Sequence, residues 1–293
     1  MKDSRASAVA HGAATIVNAI ALGQGAAFGV DLWTKAEVKL TNEAGIVKAE
    51  ITSDPKECPL LVEKTTAKVL KRFGLENTLG AQIKTQSNIP IAKGLKSSST
   101  AANATALATL SAIDKQLDDL EIIKIGVEAA FEAKVTLTGA FDDACASYFG
   151  DAVITDNLNQ QILKQTVLPK EDLAVLFYVP SQKAYTINSD VSRLKTVKSI
   201  VEIALKKALN GELWEALTLN GLAYSAASNQ NPAIAIDALA AGAIAAGLCG
   251  KGPAVTAVTP KDNVDNVRAA LQNYEGEIIL TYPNSKKAEV LKP

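Results

Sequence analysis

The chain has 293 residues, 48% of them apolar, and its 30 lysines and arginines nearly balance 31 aspartates and glutamates. This length suits two domains of ordinary size, and the absence of a basic run interleaved with aromatic residues argues against nucleic acid as a partner. The N-terminus lacks the pattern of a signal peptide, and the alanine-rich run at 233–246 is interrupted by Asp237 and Gly242, so we expect a cytoplasmic protein without a membrane span.

Cysteine and histidine usage narrows the chemistry. The three cysteines are widely spaced and form no CxxC pair, and His11 is the single histidine. This pattern argues against a disulfide framework, a structural zinc site and a histidine-dependent hydrolase. We therefore expect any general base to be a carboxylate.

Hydrophobic periodicity predicts strands and helices in both halves of the chain. In the first half the predicted elements are a strand at 30–40, a helix at 58–73, a strand at 79–85, a helix that begins at the serine run and a helix at 118–133. In the second half they are a strand at 173–179, helices at 197–209, 212–226 and 232–246, a strand at 254–259, a helix at 262–273 and a strand at 277–282. This mixture of strands and helices predicts an α+β fold. The composition becomes polar around 156–165, so we expect two domains, 1–155 and 156–293.

The most informative segment is PIAKGLKSSSTAANATALATL at 90–110, where a glycine and four hydroxyl residues precede an alanine-rich helix. The first turn of such a helix has unpaired backbone N–H groups at the positive end of the helix dipole, which suits a polyphosphate. An N-capped core helix is the alternative, but four consecutive hydroxyls exceed capping needs. We therefore predict a phosphate site, although the sequence GxxxxGK[ST] is absent.

Two further segments accompany this one. TLTGAFDDACASYFGD at 136–151 carries an acidic pair between glycines, and AAGLCGKGPA at 245–254 is rich in glycine. Phosphoryl transfer requires a polyphosphate site, a cation and a group that orients or deprotonates the attacking hydroxyl. Asp142 or Asp143 is the candidate base, because mutual repulsion raises the pKa of one of the two. Ser98 and either Glu132 or Glu128 are the candidate Mg2+ ligands, although a solvated helix face explains each glutamate equally well.

These segments resemble those of a known family. PIAKGLKSSS resembles the phosphate loop P-x-x-x-G-L-x-S-S-[AS] of the GHMP kinases, which include galactokinase, homoserine kinase and mevalonate kinase. GLCGKGPA resembles their third, glycine-rich motif, and GAFDDACASYFG resembles the segment that carries the catalytic aspartate in several members. Within the family, AHGAATIVNAIALGQGAAFGVDL and TGAFDDACASYFGD are similar to the archaeal-type shikimate kinases.

The resemblance implies a fold, an activity and a set of site residues. The fold would combine an N-terminal domain like the second domain of ribosomal protein S5 with a ferredoxin-like C-terminal domain. The activity would be ATP- and Mg2+-dependent phosphorylation of the 3-hydroxyl of shikimate, a step towards chorismate and the aromatic amino acids. Asp142, with Asp143 beside it, would be the base, because it keeps the family's spacing of eight residues to Gly150. The residues expected to bind ATP are Pro90, Lys93, Gly94, Leu95, Lys96, Ser97, Ser98, Ser99, Thr100, Gly250 and Gly252, and many family members have glycine where this chain has Lys96.

The carboxylate of shikimate calls for a basic residue. We predict Arg193, in a polar segment after the strand at 173–179 with Lys183 and Lys195 nearby.

Two alternative functions remain at this point: a GHMP-type kinase for another alcohol such as homoserine or mevalonate, and a non-catalytic nucleotide-binding protein of the same fold. The oligomeric state is open, a homo-oligomer included.

Overall fold

The computed structural model describes residues 5–91, 93–168, 172–181 and 191–292, so Lys183 lies outside the described residues. Within them the strands are, in chain order, β1 (Arg5–Val17), β2 (Gln24–Thr41), β3 (Val47–Ile51), β4 (Gly80–Ser87), β5 (Ala152–Asp156), β6 (Gln161–Thr166), β7 (Leu173–Val179), β8 (Ala245–Leu248), β9 (Val255–Pro260), β10 (Glu277–Thr281) and β11 (Glu289–Leu291). The α-helices are α1 (Leu60–Arg72), α2 (Ser97–Ala112), α3 (Asp119–Glu132), α4 (Phe141–Phe149), α5 (Val191–Lys195), α6 (Lys198–Asn210), α7 (Leu213–Ala227), α8 (Ala233–Ala240) and α9 (Val264–Leu271).

The first sheet is mixed and is organised around the long strand β2. Its strand order is β11-β1-β2-β4-β3, with β5 and β6 added beside the first part of β2. The N-terminal part of β2 pairs with β5 and its C-terminal part pairs with β4, both antiparallel, whereas β3 and β4 are parallel. The start of β2 is therefore next to the chain segment that follows α4, and this proximity shapes the site described below.

Helices α1, α2 and α4 pack on the first sheet, α3 packs on these three helices, and small residues bring α2 close to the strands. Alanines of β1 and α2, such as Ala8, Ala10, Ala104 and Ala108, are fully buried, so the helix backbone lies near the strands. Larger side chains fill the rest of this core: Ile83, Leu110, Ile123, Phe141 and Tyr148.

The second sheet has the strand order β10-β7-β9-β8 and is antiparallel. Helix α7 lies between β8 of this sheet and β1 of the first. The approach to β8 depends on two glycines, because a Cβ on Gly221 would lie 2.4 Å from the Cα of Gly247. One apolar core joins the two sheets, with Phe28 and Leu95 on one side and Phe177 and Leu248 on the other.

The α+β class is confirmed, and two differences from the predicted elements have physical causes. The predicted helix 232–246 ends at Ala240, because Gly242 adopts φ +95°, and the chain then continues as the buried strand β8. Strand β1 is absent from the predicted elements because its many alanines hide the alternation on which strand prediction depends.

The predicted domain boundary between 155 and 156 remains a prediction, but the sheets give it a context. Strand β6, after the boundary, pairs with β5 in the first sheet, and β11 returns from the far end of the chain to pair with β1.

Across the ranges that the structure describes, no helix combines the length and the apolar character needed to cross a membrane.

Candidate active site

A cavity opens where the N-termini of α2 and α4 face the end of β1. The serine run, the acidic pair and the glycine-rich segment, which are far apart in sequence, all contribute to its wall: Gly94, Lys96, Ser97, Ser98, Ser99, Asp142, Asp143, Gly250 and Gly252. The tertiary structure thus brings together the three segments that the sequence pattern singles out.

The serine run forms the N-terminus of α2. Lys96 precedes the helix in the left-handed conformation, with φ 64°, and its side chain forms no capping hydrogen bond. The first-turn N–H groups and the hydroxyls of Ser97, Ser98 and Ser99 are therefore placed at the cavity, as a phosphate site requires. Thr100 has a different role, because its buried hydroxyl is directed to the carbonyl oxygens of Lys96 (3.0 Å) and His11 (3.3 Å).

The glycine-rich segment supports the turn before α2. Gly94 has φ 84°, and a Cβ there would lie 2.7 Å from the carbonyl oxygen of Cys249. The Cys249 thiol donates to the Gly94 carbonyl oxygen at 3.2 Å, so the two loops lie in direct contact. At Gly250 a Cβ would lie 2.6 Å from Lys96 Nζ, so the missing side chain leaves room for this ammonium group.

The acidic pair occupies the first turn of α4, where the helix dipole favours negative charge. Both carboxylates are buried, with Asp142 3% and Asp143 7% exposed. Lys96 Nζ lies 3.1 Å from Asp143 Oδ2. Asp142 has a separate neighbourhood, because its Oδ1 accepts a hydrogen bond from Asn157 Nδ2 at 2.8 Å and its Oδ2 lies 2.5 Å from where a Cβ of Gly25 would be.

Burial and charge set the protonation of these groups. Burial, together with the charge of Asp143, raises the pKa of Asp142, and the Asn157 hydrogen bond and Lys96 only partly oppose this. Burial disfavours the charged form of Lys96, but the neighbouring negative groups, Asp143 above all, outweigh it and leave the pKa of Lys96 raised. A second lysine of the wall, Lys251, has its pKa lowered to about 7 by burial and by the charge of Lys96. The site therefore combines a proton acceptor suited to neutral pH with a fixed positive charge.

Several predicted site residues lie elsewhere. Glu128 and Glu132, the predicted Mg2+ ligands, are not part of the cavity wall; both form ion pairs with Lys68, at 3.1 and 2.8 Å, because α3 turns this face towards α1. The described residues contain no cluster of three or more histidine, cysteine, aspartate or glutamate side chains that could hold a metal ion.

Four other predicted contacts also lie away from the cavity wall, and one of them, Leu95, is buried in the apolar core between the sheets. The Arg193 side chain donates to Asn229 and is not part of the wall. Pro90 and Lys93 line a separate hollow beside Glu275–Glu277, where Lys93 Nζ donates to the carbonyl oxygens of Pro180 and Ser181 at 2.5 and 2.6 Å.

Part of the wall is not predicted by the sequence pattern. The end of β1 contributes Thr15 and Asn18, and Thr15 Oγ1 is buried without a hydrogen-bond partner among the described residues. Helix α7 holds this end of β1, since the Asn18 N–H donates to Asn220 Oδ1 at 3.1 Å and the Ala21 N–H to the Tyr224 hydroxyl at 3.2 Å. The contacts span more than 200 residues, and no local pattern indicates them.

The fold and the cavity are those of a small-molecule kinase, and the chain belongs to the GHMP kinases. Residues 61–151 match the family model for the GHMP kinases N terminal domain, and residues 201–277 match that for the GHMP kinases C terminal domain.

Among curated proteins, the chain is similar to enzymes named shikimate kinase. It is 44% identical over 283 residues to the shikimate kinase of Methanosarcina mazei, covering 96% of this chain and 95% of the relative. It is 38% identical over 286 residues to the shikimate kinase of Methanothermobacter thermautotrophicus, covering 96% of each chain.

Solved structures with low sequence identity share the fold. The Methanococcus jannaschii mevalonate kinase superposes with a TM-score of 0.78 at 17% identity, covering 97% of this chain and all of that one. A protein called MDDEF, in complex with MVAPP, AMPPCP and magnesium, gives a TM-score of 0.76 at 16% identity over 99% of each chain.

Proposed function

We propose that this protein is a shikimate kinase that transfers the γ-phosphate of ATP to the 3-hydroxyl of shikimate. The observation that carries the proposal is one cavity wall formed by both the open N-terminus of α2 and the buried Asp142 carboxylate. A polyphosphate and an alcohol can therefore meet in the same enclosed space. The relatives of 38–44% identity named shikimate kinase support the choice of alcohol.

Asp142 acts on the acceptor. Its carboxylate takes the proton of the 3-hydroxyl as the oxygen forms a bond to the γ-phosphorus and the bond between that phosphorus and the β,γ-bridging oxygen breaks. ADP leaves, and the proton remains on Asp142. The raised pKa of Asp142 suits this role, because a base works best when its pKa is near the operating pH.

The α2 N-terminus and the lysines act on the phosphates. The N–H groups of the first turn and the hydroxyls of Ser97 to Ser99 bind the phosphate oxygens, and the Lys96 ammonium lies at the same wall. Asp143 fixes Lys96 through the 3.1 Å ion pair, so this positive charge is in place before the substrates bind. Preorganised charge of this kind stabilises the transferring phosphoryl group without rearrangement during the reaction.

The residues present fit only part of a Mg2+ site. The Ser98 hydroxyl lies at the phosphate position and suits an ion that arrives with ATP, whereas the carboxylates of Glu128 and Glu132 are turned to Lys68. Bound there, Mg2+ would neutralise charge on the phosphate oxygens. Lys251, at the same wall, can pair with an anionic group such as the shikimate carboxylate, whose negative charge would favour the protonated form of this lysine. The sequence pattern favours Arg193 for this role.

An ADP-release assay with ATP and Mg2+ tests the proposal. Shikimate, homoserine, mevalonate and galactose are compared as acceptors for the wild type, for Asp142→Asn and for the control Asp265→Asn, whose side chain is 96% exposed. We expect turnover with shikimate that falls roughly 100-fold to 10,000-fold in Asp142→Asn and is unchanged in the control. Turnover with another acceptor alone would show a kinase with a different substrate. ATP binding without turnover on any acceptor would indicate a non-catalytic nucleotide-binding protein.

A further inference from the structure

The Asp142 carboxylate is held by a segment that no motif of the sequence indicates. Its Oδ1 accepts a hydrogen bond from Asn157 Nδ2 at 2.8 Å, and Asn157 itself accepts a hydrogen bond at Oδ1 from the Thr155 hydroxyl at 2.6 Å. Thr155 is fully buried and Asn157 is 5% exposed. The three side chains therefore form a buried chain that ends at Asp142.

Strand pairing explains why this chain exists. Thr155 in β5 is the register partner of Gly25 in β2, the glycine against which the Asp142 carboxylate lies. The Asn157 N–H donates to the Gly23 carbonyl oxygen at 2.8 Å, which continues the pairing by one more residue. Because alternate residues of an extended segment point to the same face, Thr155 and Asn157 both face α4.

The order of the hydrogen bonds fixes the Asn157 amide. An amide presents a carbonyl oxygen on one side and two N–H groups on the other, and the Thr155 hydroxyl donates to the oxygen side. The N–H side is thereby directed at Asp142. An N–H donor on a carboxylate stabilises its ionised form and restricts its rotation.

We propose that Asn157, aligned by Thr155, is a positioning residue that holds the Asp142 carboxylate in one orientation at the cavity and favours its ionised form. The proposal rests on the proposed function, in which Asp142 accepts the proton of the acceptor hydroxyl. It adds a residue of the β5–β6 turn to a site whose wall includes α2, α4, the glycine-rich segment and the end of β1. The other titratable groups that act on Asp142 are Asp143, Lys96, Cys145 and Tyr224, and all of them are left in place by the variants below.

The test compares the pH profiles of kcat/KM for Asn157→Leu and for the control Asn159→Leu. The exposed Asn159 lies in the same turn, but its amide donates to the half-buried Asp156 instead of to Asp142. Loss of the Asn157 donor raises the pKa of Asp142, so the acid limb of the profile should move to higher pH by about one unit. The control should keep the wild-type profile, and the KM for ATP should be unchanged in both.

A second variant covers the case in which Asn157→Leu does not fold. Thr155→Val keeps the side-chain shape and removes only the hydroxyl that aligns the amide, so we expect a smaller shift in the same direction. Profiles of both variants that overlay the wild type, with turnover intact, would overturn the inference.

A direct titration separates this inference from the proposed function. Carbon-13 NMR of the Asp142 carboxyl, assigned with Asp142→Asn, reports the pKa of Asp142 without any substrate. An upward shift in Asn157→Leu supports the inference even if shikimate is not the acceptor. An unchanged titration overturns it, whereas a wild type that phosphorylates none of the acceptors overturns the proposed function alone.

Discussion

Two adjacent aspartates at one helix end would repel each other strongly if their surroundings were the same. The structure separates them: Asp143 faces Lys96 at 3.1 Å, and Asp142 faces Asn157 and the bare backbone of Gly25. Burial and the charge of Asp143 raise the pKa of Asp142, and the hydrogen bond from Asn157 only partly opposes this rise. Different neighbours thus assign different roles to two identical side chains.

The position of the Asp142 carboxylate can be tested by adding one methyl group at Gly25. Its φ is not in the left-handed region, so alanine suits the backbone, but the added Cβ would lie 2.5 Å from Asp142 Oδ2. We expect Gly25→Ala to displace the carboxylate and to lower kcat about 10-fold to 100-fold, as small misplacements of reacting groups do. Steady-state kinetics with shikimate measure this.

The matching control for Gly25→Ala is the same change in an Asp142→Ala background. Without the carboxylate much of the clash is gone. Gly25→Ala should therefore lower the free energy of unfolding by less in the Asp142→Ala background than in the wild type. Equal costs in the two backgrounds, or wild-type kcat for Gly25→Ala, would show that the two residues do not interact.

At the scale of elements, the cavity depends on the contact between the turn before α2 and the segment after β8. Gly94 combines two requirements, a left-handed conformation at φ 84° and a close approach to the Cys249 carbonyl oxygen. Gly74, after α1, has a similar φ of 68°, but a Cβ added there would meet none of the described residues within 4 Å, so it isolates the conformational requirement.

The two glycines form a matched pair for mutation to alanine. We expect Gly74→Ala to lower the free energy of unfolding by about 1–2 kcal/mol through backbone strain alone. Gly94→Ala should cost at least about 2 kcal/mol more, because the loops must also move apart, and it should raise the KM for ATP. Chemical denaturation and ATP kinetics measure both, and equal costs for the two variants would contradict the packing argument.

At the scale of the whole molecule, the buried base makes stability depend on pH. The pKa of Asp142 is raised on folding, so the folded state binds more protons than the unfolded state between the unfolded and folded pKa values. Stability therefore falls as pH rises through that interval, and the loss persists above it. The same raised pKa that suits Asp142 to accept a proton therefore lowers the stability of the folded protein at neutral and higher pH.

Asp142→Asn should remove this cost. We expect the variant to unfold at the same temperature as the wild type near pH 4 and roughly 5 °C higher at pH 8, although its turnover should be much lower. Calorimetry across this range measures the difference, with Asp265→Asn as the exposed control that should show none. If the wild type were the more stable of the two at pH 8, ionisation of Asp142 would not destabilise the folded state.

The sequence by itself determined the parts of this protein that are encoded in contiguous residues. The serine run before an alanine-rich helix, the acidic pair and the glycine-rich segment predicted a kinase of the GHMP family, and the family models confirm this. Hydrogen-bonding groups of a helix first turn and the conformational freedom of glycine are local properties, so a local pattern is enough to reveal them.

The tertiary structure alone decided which charges face each other. Lys96 and Asp143 are 47 residues apart and meet because α2 and α4 begin at the same cavity. Asn157 reaches Asp142 because β5 pairs with the start of β2. The same packing turns Glu128 and Glu132 towards Lys68 instead of the predicted metal site. The sequence gives the chemical type of each side chain. The partner of each buried charge is set by strand register and helix packing, because these depend on contacts between residues distant in the chain.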